Sequence, residues 1–306
     1  MVGTVLRAQS GFFWVRLDES GEILRCTLRG RLKKEKYETD LATIGDRVRV
    51  ARTVPGEGVI EAVEPRRTKL SRRAPLRQGG MRESVIVANL DLLVATFAIA
   101  HPDPHRRMID RFLVIAEANG VEAAVVANKL DLCSLEYARS IFGDYERIGY
   151  PVFYTSAKTG EGIDELRDVL KAKISAFTGP SGVGKSSLLN AIQPGLGLKV
   201  GEVSGAVNKG RHTTVAPELH PTGDSGYVAD TPGIRELGLW RIPPENLDWY
   251  FREFRPYLDD CAFDDCAHGP EPGCAVRAAV GRGEISQERY ESYLRLLEQA
   301  EEEREY

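Results

Sequence analysis

An octapeptide near the middle of the chain, Gly179-Pro180-Ser181-Gly182-Val183-Gly184-Lys185-Ser186, limits the possible folds more than any other stretch. It fits the pattern G-x-x-x-x-G-K-[ST] and has the flanks that pattern needs. Ile174–Thr178 before it is a short apolar run that reads as a buried strand, and Ser187–Ile192 after it reads as the first turns of a helix. Glycines there let the backbone wrap closely around an anion, where a Cβ would collide with phosphate oxygens. Amide N–H groups and the positive end of the helix then face the α- and β-phosphates of a nucleotide. Lys185 is expected to reach the β- and γ-phosphates, and the Ser186 hydroxyl to ligate Mg²⁺. Gly179 to Ser187 are therefore all expected at the nucleotide. A strand–loop–helix unit of this kind belongs to an α/β fold.

The stretch from Val85 to about Leu239 supports that fold. Leu92–Ala100 and Val121–Ala127 are apolar runs typical of strands covered on both faces. Helical spacing over Arg106–Asn119, Leu135–Ile148 and Ile163–Lys171 alternates with them and with a strand at Pro151–Tyr154. Such alternation predicts a mostly parallel, doubly wound sheet with its ligand beyond the carboxyl ends of the strands. Short motifs stand at those ends. In Asn128-Lys129-Leu130-Asp131, the Asp131 carboxylate can accept both N1–H and N2–H₂ of guanine, whereas adenine offers no matching pair of donors. Ser156-Ala157-Lys158 can present a backbone N–H to guanine O6. Asp230-Thr231-Pro232-Gly233 follows the strand Gly226–Ala229; it places Asp230 near Mg²⁺ and the Gly233 N–H at the γ-phosphate. Thr213-Thr214 can add a hydroxyl to Mg²⁺, Thr214 being the better placed. GTP and GDP are thus the expected ligands.

The order of the motifs is unusual. The guanine motifs precede the phosphate loop, the reverse of an ordinary small GTPase, so the domain is expected to be circularly permuted, which folds tolerate when their termini lie close together. The segment after Asp230, which senses the γ-phosphate, then runs directly into whatever follows. Ile234 stands where Ras-like enzymes carry the water-orienting Gln. Slow intrinsic hydrolysis follows, with dependence on a partner. His212 is the best internal candidate for polarising water, since imidazole exchanges protons near neutral pH; phosphate or RNA contact is its other reading. His101, His105 and His220 read as surface or loop residues without special roles.

Residues 1–64 differ in kind. Five short strands (Gly3–Leu6, Phe12–Leu17, Glu22–Leu28, Arg47–Ala51 and Val59–Val63) suit a small OB-type barrel, a fold that often binds oligonucleotides. Phe12, Phe13, Trp14, Arg29, Arg31, Lys33, Lys34 and Lys36 either furnish an RNA-binding face or divide into core aromatics and solvated cations. Between Pro65 and Arg82 lie Arg66, Arg67, Lys69, Arg72, Arg73, Arg77 and Arg82 with no acid, inside a chain of net charge −4. This stretch is expected to be a linker, broken by Pro75 and Gly79-Gly80, that touches a polyanion or simply stays solvated. No apolar run approaches the roughly 20 residues that span a bilayer, and a cytoplasmic location is the default expectation.

Three of the five cysteines crowd one window, Cys261-x4-Cys266-x-His268-x5-Cys274. Three thiolates and an imidazole make the ligand set of a closed structural Zn²⁺ site, with no open position for catalysis. Asn246–Arg255 is expected to be helical, and Ser286–Arg304 to be an amphipathic terminal helix with Tyr290, Tyr293, Leu294, Leu296 and Leu297 on one side.

A permuted GTPase domain behind a small barrel, with Cys26-Thr27-Leu28-Arg29-Gly30, Gly210-Arg211-His212-Thr213-Thr214 and a Cys/His cluster, resembles the RsgA family of small-subunit-dependent GTPases over nearly the whole chain. The fold implied is an OB-type barrel (1–64), a basic linker (65–84), a circularly permuted GTPase domain (85–239) and a helical zinc-binding domain (240–306). The resemblance implies the 30S ribosomal subunit as partner, with barrel and zinc domain touching 16S rRNA near the decoding region. It also implies GTP hydrolysis stimulated by the subunit and driving release late in maturation. No membrane or DNA partner is expected, and a monomer is. The competing readings are a GTP-gated RNA-binding module with incidental hydrolysis and a P-loop kinase. The latter is disfavoured because no lid-type arginine cluster follows the loop.

Overall fold

Alternation of apolar and polar side chains at a period of two dictates a sheet with one buried face, and the first five strands bend that face inward. In the computed structural model, which describes residues 1–30, 40–75, 81–197, 217–223, 225–230, 238–239 and 242–304, these are β1 (Val2–Gln9), β2 (Phe12–Leu17), β3 (Ile23–Leu28), β4 (Arg47–Arg52) and β5 (Glu57–Val63). They pair in the order β1-β2-β3-β5-β4 and close through β4 onto β1; β3 and β5 are parallel and the rest antiparallel. Val5, Phe13, Val15, Leu17, Leu24, Val48, Val50 and Ile60 fill the barrel together with Cys26, whose thiol burial pushes up to about 11. Cys26 is thus a small core hydrophobe. Phe13 is the core aromatic of its strand. Phe12 and Trp14 point outward, with the Arg25 guanidinium 5.0 Å over Phe12 and that of Arg7 4.8 Å over Trp14. Arg31, Lys33, Lys34 and Lys36 lie outside the described residues.

The basic stretch differs from expectation. Lys69–Pro75 (β6) and Met81–Ala88 (β7) form an antiparallel hairpin. Leu70 on β6 and Val85, Ile86, Val87 and Ala88 on β7 are buried, so the hairpin's apolar residues lie mostly on β7, beyond the run of arginines. Pro75 ends its strand without preventing it. The hairpin clamps the barrel to the rest of the chain: Arg66 grips the buried Asp46 carboxylate with two hydrogen bonds of 2.7 and 2.8 Å, and Asn89 donates to the Gly45 carbonyl at 2.9 Å. Gly45 has φ +84°, and a Cβ there would sit 2.0 Å from the Ala88 carbonyl oxygen, so only glycine permits this approach.

The central sheet runs β10 (Val152–Thr155), β9 (Glu122–Asn128), β8 (Leu92–Ala98), β11 (Ile174–Thr178), β13 (Gly226–Asp230) and β12 (Glu218–Thr222). The first five are parallel and β12 is antiparallel at the edge. Helices α3 (Ile163–Val169) and α4 (Lys185–Ile192) cover one face through Leu166, Leu188 and Ile192. Helices α1 (Arg106–Ala118) and α2 (Leu135–Ile148) cover the other through Ile109, Phe112 and Phe142. Glu218 of β12 pairs with Arg7 of β1, and Tyr227 of β13 accepts a 2.7 Å hydrogen bond from Arg16 of the barrel. Barrel and central sheet are thereby one continuous hydrogen-bonded sheet. No helix among the described residues is long and apolar enough to cross a membrane.

Beyond residue 242 the expected helix at Asn246–Arg255 is replaced by short 3₁₀ turns at Pro244–Asn246, Asp248–Tyr250 and Arg255–Asp260. Phe251 is extended (φ −97°, ψ 99°), which splits the helical run. Its ring is fully buried against Phe254 and Tyr293, at centroid distances of 5.2 and 5.3 Å. Helices α5 (Ala275–Gly281) and α6 (Gln287–Arg304) complete this part, and α6 packs on α1.

A buried charge joins the two helices. Arg289, 3% exposed, is 2.6 Å from both Asp110 and Glu253, and Tyr145 donates to the same Asp110 oxygen at 2.8 Å. Removing one partner of a buried pair strands the other, at a cost of about 3–5 kcal/mol. Arg289→Met is expected to lower unfolding stability by about 3 kcal/mol in a denaturant titration; a change under about 0.5 kcal/mol, the size of an ordinary surface substitution, would contradict the assignment.

Candidate nucleotide site and metal centre

The phosphate loop follows from its glycines. Gly179, Gly182 and Gly184 have φ of +138°, +80° and +93°. A Cβ on Gly179 would meet the Thr96 carbonyl oxygen at 2.0 Å, and one on Gly184 would meet Asn128 Nδ2 at 2.4 Å. The loop is therefore held close against the Thr96 carbonyl of β8 and against Asn128, at the start of α4. The Lys185 ammonium arches back over it, donating to the carbonyls of Gly179 (2.7 Å) and Pro180 (2.6 Å). Helix α4 has no acidic residue in its first turn, so nothing opposes an anion there.

The loops after β9 and β10 converge on the same place through one side chain. Asn128, 1% exposed, donates from Nδ2 to the Val183 carbonyl at 2.8 Å. Its Oδ1 accepts from the Thr155 hydroxyl at 3.2 Å and from the Ala157 amide at 3.4 Å. Three motifs far apart in sequence are thus held at one site. Asp131 is oriented by Ser156, whose hydroxyl donates to Oδ1 at 2.7 Å, while the Lys158 ammonium lies 3.5 Å from Oδ2. That hydrogen bond, aided by Lys158, holds the Asp131 carboxyl below the usual carboxylate range, so it stays an acceptor throughout the neutral range. Leu130 is buried and anchors the loop.

Lys129 adopts a left-handed backbone (φ +68°), and its ammonium donates to the carbonyl of His101. The turn after β8 is thereby drawn against the base motif, and Pro102 lies near the Cβ direction of Gly182. The sequence reading gave this turn no role. Its signal was the unremarkable His-Pro pair at a strand end. His101 and His105 are exposed, and His220 is half-buried in the edge strand β12. Asp230 ends β13, two strands from β8 with β11 between, which puts that position at the same carboxyl edge of the sheet as the phosphate loop. The expectations placed on Gly210, Arg211, His212, Thr213, Thr214, Thr231, Pro232, Gly233 and Ile234 fall on residues outside the described ones.

The second cluster is compact. The ligand atoms of Cys261, Cys266, His268 and Cys274 all lie within 4.8 Å of one another. His268 Nδ1 is 3.6 Å from Cys261 Sγ and 3.5 Å from Cys274 Sγ. Its Nε2 is 3.2 Å from an Asp248 carboxylate oxygen, a partner that fixes the ring's orientation and raises its basicity toward a metal. Sequence spacing missed Asp248 because an outer partner obeys no ligand spacing. Tyr290 donates to the His268 carbonyl (2.6 Å) and Tyr293 to that of Ala267 (3.0 Å), so α6 pins the loop from behind. Four soft donors converging at these distances, with the imidazole backed by a carboxylate, fit a tetrahedral Zn²⁺ ion.

Comparison with known proteins agrees with this geometry. A family model described as RsgA GTPase matches residues 63–240, and one described as RsgA N-terminal domain matches residues 2–60. A protein of Gemmatimonas aurantiaca named small ribosomal subunit biogenesis GTPase RsgA is 50% identical over 299 residues, spanning 97% of this chain and 96% of that one. One of the same name from Moorella thermoacetica is 45% identical, again spanning 97% and 96%. Among solved structures, YjeQ from Thermotoga maritima superposes with a TM-score of 0.80 at 38% identity over 98% of each chain. YloQ, described as a circularly permuted GTPase, superposes with a TM-score of 0.78 at 30% identity, covering 99% of this chain and 95% of that one.

Proposed function

Because this chain belongs to the family of RsgA GTPases, we propose that it hydrolyses GTP as a biogenesis factor of the small ribosomal subunit. Binding to the 30S particle stimulates turnover, and hydrolysis releases the factor late in maturation. Contacts to 16S rRNA, a monomeric chain and a cytoplasmic site of action belong to the same reading. The observation that carries it is the Asn128 side chain, which ties the phosphate loop, the base motif and the Ser156-Ala157-Lys158 turn into one pocket.

In this reading each residue has a role, supported for the described residues by their contacts. GTP enters with its phosphates along Gly179–Ser187 and its base between Lys129 and Ala157. Lys185 exchanges its two loop carbonyls for β- and γ-phosphate oxygens, a short swing for a side chain already bent over the loop. Asp131 accepts the two guanine N–H groups, and the Ala157 amide lies near the base's O6. Ser186 and Thr214 would hold Mg²⁺, with Asp230 behind them, and the ion would supply neutralisation of the developing phosphate charge. Gly233 offers an N–H to the γ-phosphate. His212 positions or polarises the attacking water, since Ile234 lacks any polar atom for that task. The Cys261, Cys266, His268 and Cys274 set holds one structural Zn²⁺.

Lys185→Ala is expected to reduce subunit-stimulated hydrolysis by about 10²–10³, the range for removing one preorganised electrostatic contact from a transition state. Single-turnover assays measure it. The same assay tests the function itself: wild-type turnover should rise with added small subunits and not with large subunits. A rate indifferent to both would favour a GTP-gated RNA-binding module, which the absence of a Gln at residue 234 also permits. His212→Ala should abolish most of the stimulated rate; an unaltered rate removes His212 from the mechanism.

A further inference from the structure

An open cleft of about 410 Å³ lies between the start of α1 and the first turns of α6, apart from the nucleotide site and the Cys/His cluster. His105, Arg106 and Arg107 line it from one side, and Ser292 and Arg295 from the other. Among the described residues Arg107 and Arg295 are exposed and have no counter-ion. Arg106 is matched by Glu288 and Asp144, and Glu291, also at the cleft, accepts from Gln287. Glu288 is thus charge-paired and Glu291 keeps its charge beside a neutral amide, while Arg107 and Arg295 bring two positive charges to the cleft that no described acid pairs. The 13-residue α1 opens here with no acidic residue in its first turn and no side-chain cap, so its leading amides add positive potential. A second, separate observation points to a ligand: Ser292 is 1% exposed, yet its hydroxyl has no hydrogen-bond partner. A buried hydroxyl without a partner is costly, and an acceptor entering the cleft would relieve that cost.

Exposed guanidinium groups, a helix N-terminus and a spare hydroxyl donor form a set that recognises phosphate. We propose that the α1–α6 cleft is a phosphate-binding site that takes the RNA backbone of the small ribosomal subunit, gripped by Arg107 and Arg295 with the Ser292 hydroxyl as third donor. This rests on the subunit being the partner. The cleft spans the GTPase domain and the zinc-binding part, and its α1 side continues into the turn whose His101 carbonyl Lys129 holds. RNA seated there contacts both parts at once and adjoins the base motif.

The test compares full-length wild type, Arg107→Gln/Arg295→Gln and an Arg139→Gln control for binding to purified small subunits across a salt series. Removing one phosphate-neutralising arginine should lower the slope of log K against log salt by about 0.7–0.9. The double variant is therefore expected to bind about tenfold more weakly at moderate salt, with a slope shallower by about 1.5. Ser292→Ala should shift affinity in the same direction by a few-fold, with GDP affinity unchanged in all variants. Wild-type affinity and slope in the double variant would overturn the proposal. So would a loss seen with whole subunits but not with protein-free 16S rRNA, which would make the occupant a ribosomal protein. A loss of nucleotide affinity alone would assign the cleft to a free nucleotide phosphate and overturn it equally. Failure of the wild type to bind subunits at all would instead undo the functional reading on which the cleft depends.

Discussion

Asp131→Asn is expected to lower discrimination for guanosine over xanthosine nucleotides by about four orders of magnitude, the scale reached when a site built on paired hydrogen bonds loses its match. The wild-type carboxylate is a pure acceptor, kept ionised by the Ser156 hydroxyl and the Lys158 ammonium. Guanine presents two donors to it. An amide in the same place turns one acceptor into a donor and faces a guanine N–H group with another N–H. Xanthine carries a carbonyl at that position and can accept from the amide. The change should leave the loop intact, because the amide oxygen can still accept from Ser156. Dissociation constants for GDP and xanthosine diphosphate measure the effect, with far-UV circular dichroism as the folding control. A variant that retains its guanine preference would mean that residue 131 does not read the base, and the convergence of loops around Asn128 would need another ligand.

Removing the metal from the Cys/His cluster should have a larger effect still. Structural Zn²⁺ in small domains contributes roughly 10–16 kcal/mol of apparent folding free energy at neutral pH. The segment around Cys261–Cys274 has only short turns and the seven-residue α5 to hold it, and α6 fastens to it through Tyr290 and Tyr293. Chelation, or Cys274→Ser, is therefore expected to unfold residues from about 255 onward, including the contact of α6 with α1. Hydrogen exchange should show α5 and α6 losing protection while the barrel strands keep theirs. Zinc content measured on the purified protein should be one ion per chain, and retention of α6 protection in the metal-free protein would contradict this. Because Cys274 also caps α5 by accepting from the Arg277 amide, an Asp248→Ala variant provides a second probe. It leaves all four ligands but frees the imidazole, and metal affinity should fall about 10–100-fold.

The legible parts of this molecule were those where chemistry restricts residue type. Gly179, Gly182 and Gly184 are required by backbone angles that few other residues adopt, so the phosphate loop could be read directly. The five barrel strands and the buried strands β8 and β9 followed from periodicity, with only their ends displaced. The β6–β7 hairpin did not, because Arg72 and Arg73 stand in a strand where Leu70 supplies the buried apolar side chain, and its partner's apolar run begins only at Val85. The run from Asn246 to Arg255 has helical spacing, but burying Phe251 and Phe254 side by side required an extended residue between turns. Asn128 was expected at the base. Its role in joining three loops depends on the Val183 carbonyl lying within reach, a matter of tertiary distance that sequence spacing does not carry.

The pairing of Arg7 with Glu218 has a practical corollary for anyone shortening the chain. Strand β12 borders the parallel sheet, and β1 is what covers its outer side. A fragment starting at Val85 would leave Glu218 without its Arg7 partner and lengthen the open border of β12, the kind of border along which separate molecules zip together. Such a fragment is expected to self-associate more readily than the whole chain.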